Sequence, residues 1–135
     1  MRTKPANKRL ALAKAKFKPV ARVLDRLPQD IEKEHGRSAV LEPRGSMEET
    51  AGNAYAVRYS LRHPEEARLS LTFIVVGDKA DLLLVQGHER SDPRNVTADP
   101  GQVDQRVYRL AEVEEIKAAV KAKIVDHLRA EGVLH

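Results

Sequence analysis

The chain has 135 residues, of which 41% are hydrophobic and 33% are charged, and this balance is typical of a globular protein with a core of its own. It contains no cysteine, which excludes disulfides, thiolate metal ligands and cysteine nucleophiles and makes a reducing compartment, the cytoplasm, the expected location. No apolar run approaches the roughly 20 residues that a membrane-spanning helix needs.

Charge is distributed very unevenly along the chain. The first acidic residue is Asp25, and eight basic residues precede it. The 111 residues after position 24 hold 16 basic and 20 acidic side chains, so the net charge of +4 combines a strongly basic beginning with a mildly acidic body. Such asymmetry is typical of a segment that binds a polyanionic partner.

The first part of the chain combines a polar arm with a helical pattern. Residues 1–9 are basic and polar, and we expect a flexible arm followed by a single α+β domain over residues 10–135. From residue 10, apolar residues recur at steps of three and four and predict one buried helix face: Phe17, Val20, Leu24, Leu27 and Ile31. Basic residues recur at steps of four on the opposite side: Lys14, Lys18, Arg22 and Arg26.

Two prolines interrupt this helical pattern. Pro19 and Pro28 each lack the amide hydrogen that an interior helical residue donates, and each disfavours helical geometry in the residue before it. We therefore predict up to three short helices with breaks near residues 18 and 27. Gly36 is a suitable stop for the last of them.

The middle of the chain predicts an antiparallel sheet. Residues 38–42 form a candidate first strand, and residues 43–53 have the composition of a loop. Over 55–61 apolar residues alternate with polar or smaller ones, and over 69–76 every second residue from Leu69 to Val75 is apolar, as strands with one buried face require. Gly77-Asp78 is a two-residue hairpin signal, and Leu82 to Val85 would return as the next strand.

The last part of the chain predicts a long loop and a long helix. Residues 86–102 contain two glycines and two prolines, and long loops of this kind are often functional. Residues 103–108 form a candidate short strand, and a helix is expected over residues 110–130. The predicted fold is therefore α+β: an antiparallel meander sheet of three to five strands, with N-terminal helices and a long C-terminal helix packed on one face.

The second face of this sheet is too apolar to be fully exposed. With a two-residue turn at Gly77-Asp78, four aliphatic residues would share the face away from the helices: Ile74, Val76, Leu83 and Val85. We expect these residues to form an interface. A second copy of the chain and the 86–102 loop folding back are both candidates to cover them, and a second copy is slightly favoured.

The basic beginning of the chain is the strongest functional signal. Cations without nearby carboxylates bind the phosphate backbone with release of counterions, and no zinc-finger spacing or aromatic RNA-stacking motif indicates that bases are read. We therefore expect a small non-catalytic protein that contacts nucleic acid without sequence specificity. The predicted contacts are Lys8, Arg9, Lys14, Lys16, Lys18 and Arg22.

Two other hypotheses remain open from the sequence. The chain could be a protein-interaction module, such as an adaptor, inhibitor or chaperone, that works through the second sheet face or the 86–102 loop. An enzyme is a third hypothesis, because small α+β folds support many chemistries. No nucleophile elbow, phosphate-binding glycine loop or zinc motif is present, so no catalytic residue, metal or cofactor is expected.

Overall fold

The computed structural model describes residues 5–36, 39–51, 54–62, 66–77, 79–89 and 102–132. These residues form two helices and six strands, in the order α1 (Pro5–His35), β1 (Val40–Pro43), β2 (Glu48–Ala51), β3 (Ala54–Arg62), β4 (Glu66–Val76), β5 (Leu82–Glu89), β6 (Gln102–Arg109) and α2 (Val113–Ala130). The expected α+β class, the antiparallel sheet and the C-terminal helix are confirmed.

The N-terminal segment is one helix of 31 residues, and the predicted breaks near residues 18 and 27 are wrong. Pro19 and Pro28 both lie inside α1. The predicted apolar face is buried along its whole length, and this burial outweighs the cost of two interior prolines, about 3 kcal/mol each. Because Pro19 has no amide hydrogen, the carbonyl group of Ala15 lacks its helical partner; Ala15 is exposed, so water can reach that carbonyl. The helix begins at Pro5, so the described part of the predicted arm is helical and residues 1–4 lie outside the description.

The six strands form one antiparallel sheet. The order across the sheet is β1-β3-β4-β5-β6, with β2 beside β3 on the same side as β1. The predicted strands at 55–61, 69–76 and 103–108 are present and slightly longer than expected. β2 was not predicted, because the sequence Glu48-Glu49-Thr50-Ala51 carries no alternation of apolar and polar residues.

The hydrophobic core lies between one face of the sheet and the two helices. Phe73 on β4 is fully buried, and its ring centroid lies 5.7 Å from that of Phe17 on α1 and 5.4 Å from that of Tyr59 on β3. α2 adds Ile116, Val120 and other residues to the same core. Its lysines pair with acids near the end of α1: Lys117 lies 3.5 Å from Asp30, and Lys121 pairs with Glu34.

The register of β4 and β5 corrects the predicted second face. Val75 pairs with Leu83 and Phe73 pairs with Val85, so Leu83 and Val85 lie on the core face, and Leu83 is fully buried. Val76 pairs with Leu82, which leaves five residues, 77–81, between the strands instead of the two expected. Because side chains alternate along a strand, this odd difference in loop length moves every residue of β5 to the opposite face.

The predicted 86–102 loop is shorter in the structure. Gln86 to Glu89 continue β5 as far as a pair with Gln102, the first residue of β6. Residues 90–101 lie outside the described part of the chain. Neither described helix combines the length and the apolar character that crossing a membrane requires.

Candidate nucleic-acid interface

The six basic residues selected from the sequence all lie on α1, between Lys8 and Arg22, and are all exposed. We call this set the cationic surface: Lys8, Arg9, Lys14, Lys16, Lys18 and Arg22. The buried side of the same helical turns consists of Ala13, Phe17 and Val20, which anchor the helix to the sheet. At a rise of about 1.5 Å per residue, the cationic surface extends over about 21 Å of helix.

The cationic surface is distributed around the helix. Lys14 and Lys18 line a groove of about 350 Å³ between α1 and the start of the sheet, together with Met47, Val57 and Tyr59. Lys16 lies on the other flank of the helix, facing the turn between β4 and β5. A polyanion could therefore contact cations on both flanks of α1.

Tyr59 lies in the groove beside these lysines and is almost wholly buried. Burial raises the pKa of its phenol above the usual 10.0, and the negative charge of Asp25 raises it further. At neutral pH the phenol is therefore uncharged. The floor of the groove adds no negative charge beside Lys14 and Lys18.

Charge pairing changes along α1. Near its end, Asp30 and Glu34 are neutralised by lysines of α2. Nearer its beginning, within the described part of the chain, no ion pair involves Lys8, Lys14, Lys18 or Arg22. These four cations thus give the segment from Lys8 to Arg22 a surplus of positive charge that the fold does not neutralise.

A second concave surface adjoins the cationic surface at one end of the sheet. We call it the end cleft; its volume is about 780 Å³, and it is lined by Lys16, Gly77, Lys79, Asp81, Leu82, Arg109, Leu110 and Ala111. The Nζ atom of Lys16 lies 3.8 Å from Oδ1 of Asp81. The amide of Leu110 donates a hydrogen bond of 2.8 Å to the carbonyl oxygen of Asp81. This bond joins the segment that follows β6 to the segment that precedes β5.

The sequence could not have added Lys79 and Arg109 to the candidate site. Both lie more than 55 positions from the cationic surface in sequence. Only the packing of α1 over the sheet brings them beside Lys16.

The outer face of the sheet, the face opposite α1 and α2, carries an apolar cluster. Register places Ile74 beside Leu84 and Val76 beside Leu82, with Val107 next to Leu84 on β6. Leu82 and Val107 are 39% and 58% exposed. Of the predicted interface residues, Ile74 and Val76 belong to this cluster, whereas Leu83 and Val85 do not.

No protein-family model, curated protein or solved structure matches the chain. Its function must therefore be inferred from its own residues and their geometry.

Proposed function

We propose that this protein binds nucleic acid through the cationic surface of α1, without recognising base sequence. The observation that carries the proposal is the exposed surplus of positive charge between Lys8 and Arg22, on a helix whose first acid is Asp25. Lysine and arginine side chains on a rigid helix can neutralise several phosphates at once, and the counterions released make binding favourable.

The side chains of the cationic surface suit phosphates better than bases. All six are flexible cations, and no aromatic ring among the described residues is exposed for bases to stack on: Phe17, Tyr55, Tyr59 and Phe73 are buried and Tyr108 is half-buried. Phosphate contacts position a protein on nucleic acid but carry no sequence information. Binding is therefore expected to depend on charge and on salt, with little discrimination between sequences.

Substitution tests this proposal better than truncation, because Ala13 and Phe17 are buried and a deletion would remove part of the core. We would measure binding of fluorescent single- and double-stranded oligonucleotides across a salt series. The triple variant Lys14→Gln, Lys18→Gln, Arg22→Gln removes three exposed cations. Each lost contact is expected to reduce the log–log salt slope by about 0.9 on duplex and about 0.7 on single strands.

A matched control removes the same charge elsewhere: Lys33→Gln, Arg62→Gln and Arg129→Gln, all at exposed positions outside the cationic surface. This control should keep most of the wild-type affinity and slope. Equal losses in the two triple variants would show that only net charge matters. Absence of salt-sensitive binding by the wild-type protein would refute the proposal.

A second candidate function is self-association through the outer face of the sheet. The observation in its favour is the order of side chains across that face: Glu48 on β2 at one edge, the apolar cluster in the middle, and Arg109 on β6 at the other edge. A second copy related by a twofold axis parallel to the strands would place Glu48 of each copy on the side of the other copy's β6 edge, which carries Arg109. We therefore propose a second copy of the chain as the partner of this face.

A further inference from the structure

The end cleft gathers positive charge from three separate parts of the chain. Lys16 comes from α1, Lys79 from the connection between β4 and β5, and Arg109 from the end of β6. Asp81 is the only acidic residue among the described residues that line it. A volume of about 780 Å³ lies within the usual range for ligand sites, about 300–1,000 Å³. The cleft therefore combines a net positive charge with room for a nucleotide unit.

The contact between Lys16 and Asp81 is easily exchanged. Their charged atoms are 3.8 Å apart, beyond hydrogen-bonding distance, and the side chains are 47% and 57% exposed. Exposed pairs of this kind contribute little to stability. A phosphate that entered the cleft could therefore take the place of the Asp81 carboxylate beside Lys16 at little cost.

We propose that the end cleft binds one backbone phosphate of the nucleic acid, held by Lys16, Lys79 and Arg109, and that Asp81 is a competing anion that weakens this binding. The inference rests on the proposed function and extends its surface beyond α1. The bound strand then crosses α1, from the groove of Lys14 and Lys18 on one flank to the cleft beside Lys16 on the other.

Two substitutions with opposite effects test this inference in the same oligonucleotide binding assay. Lys79→Gln removes a cation from the cleft and is expected to weaken binding by about threefold to tenfold and to lower the salt slope by about one contact. Asp81→Asn removes the competing anion and is expected to strengthen binding by a similar factor. Arg109 is left unchanged because it also borders the outer face.

The controls make the same charge changes at the opposite end of the sheet. Arg62→Gln matches Lys79→Gln, and Glu42→Gln matches Asp81→Asn; these two control residues form an exposed ion pair of 3.1 Å with each other. Both controls should bind nearly as the wild type does. All four sites are at the surface, and unfolding curves will verify that every variant is folded.

The outcomes separate this inference from the proposed function. A weaker Lys79→Gln and a stronger Asp81→Asn, with unchanged controls, would support the cleft as a phosphate site. If both variants match their controls while the wild type still binds with a steep salt slope, the inference is wrong and the proposed function stands. If the wild type does not bind, both are wrong.

Discussion

Tyr59 occupies the boundary between the hydrophobic core and the groove beside α1. Its ring packs edge-to-face on Phe73, and burial together with the charge of Asp25 raises the pKa of its phenol above 10.0. A raised pKa means that the folded protein favours the neutral phenol. The stability that follows is fully present below pH 10 and is lost as the pH rises from 10 through the pKa of the folded state.

We therefore predict that alkaline pH destabilises the wild-type protein more than the variant Tyr59→Phe, which has no phenol to ionise. The additional loss should be at most about 1.4 kcal/mol per pH unit above pH 10. Urea unfolding at pH 8 and at several values above pH 10 measures this difference. Parallel loss of stability in the two proteins would show that the ionisation of Tyr59 is not linked to folding.

At the scale of elements, α1 presents the clearest conflict between local preference and packing. Pro19 is exposed in the middle of the helix, where proline costs about 3 kcal/mol relative to alanine. Proline also restricts the unfolded chain, which offsets the cost by about 0.4–1 kcal/mol. We predict that Pro19→Ala stabilises the protein by about 2 kcal/mol, as measured by urea unfolding.

Pro43 supplies the control for this substitution, since it is exposed and lies at the end of β1, outside any helix. Pro43→Ala should change stability by less than Pro19→Ala. A destabilised or unchanged Pro19→Ala variant would favour the broken helix that the sequence alone predicts.

The elements that were predicted correctly are those whose signal is local. β3 and β4 alternate over long stretches, so their existence and their buried faces follow from residues such as Tyr55, Val57 and Val75 alone. The face of β5 does not follow in this way, because Leu82 to Val85 are all apolar and only the length of the turn decides which of them are buried. The continuity of α1 is likewise decided by its packing against the sheet, which the sequence of the helix alone does not reveal.

At the scale of the whole molecule, the apolar cluster on the outer face leads us to predict a dimer. Val107 is its most exposed large apolar residue among the described ones, and a charge there should disrupt packing against a second copy. We predict that the wild type sediments as a dimer and that Val107→Lys shifts it towards the monomer. Analytical ultracentrifugation over a concentration series measures this change.

Val40→Lys is the matched control for the dimer, because Val40 is 47% exposed on β1, at the opposite end of the sheet. It should leave the dimer intact. A wild-type protein that sediments as a monomer at every concentration would contradict self-association through this face.

The candidate interface was only partly predictable, because one part of it lies on a single element and the other part is assembled from several. The cationic surface lies within a single helix, so the sequence suffices to find its six residues. The end cleft joins Lys16 to Lys79 and Arg109, and the fold alone brings these three together. A surface made by one element can be recognised in a sequence, whereas a surface made by three cannot.

The first turn of α1 contains no acidic residue, and Lys8 and Arg9 follow it directly. The amino-terminal end of a helix already carries a partial positive charge from its aligned peptide dipoles, so each nearby cation costs about 0.3–1 kcal/mol. Bound phosphates would convert this repulsion into attraction. Lys8 and Arg9 make the beginning of α1 the electrostatically least favourable part of the free helix. With phosphates bound, the same residues would make it the part of the helix that is stabilised most. Binding of nucleic acid and stability of the helix would then reinforce each other.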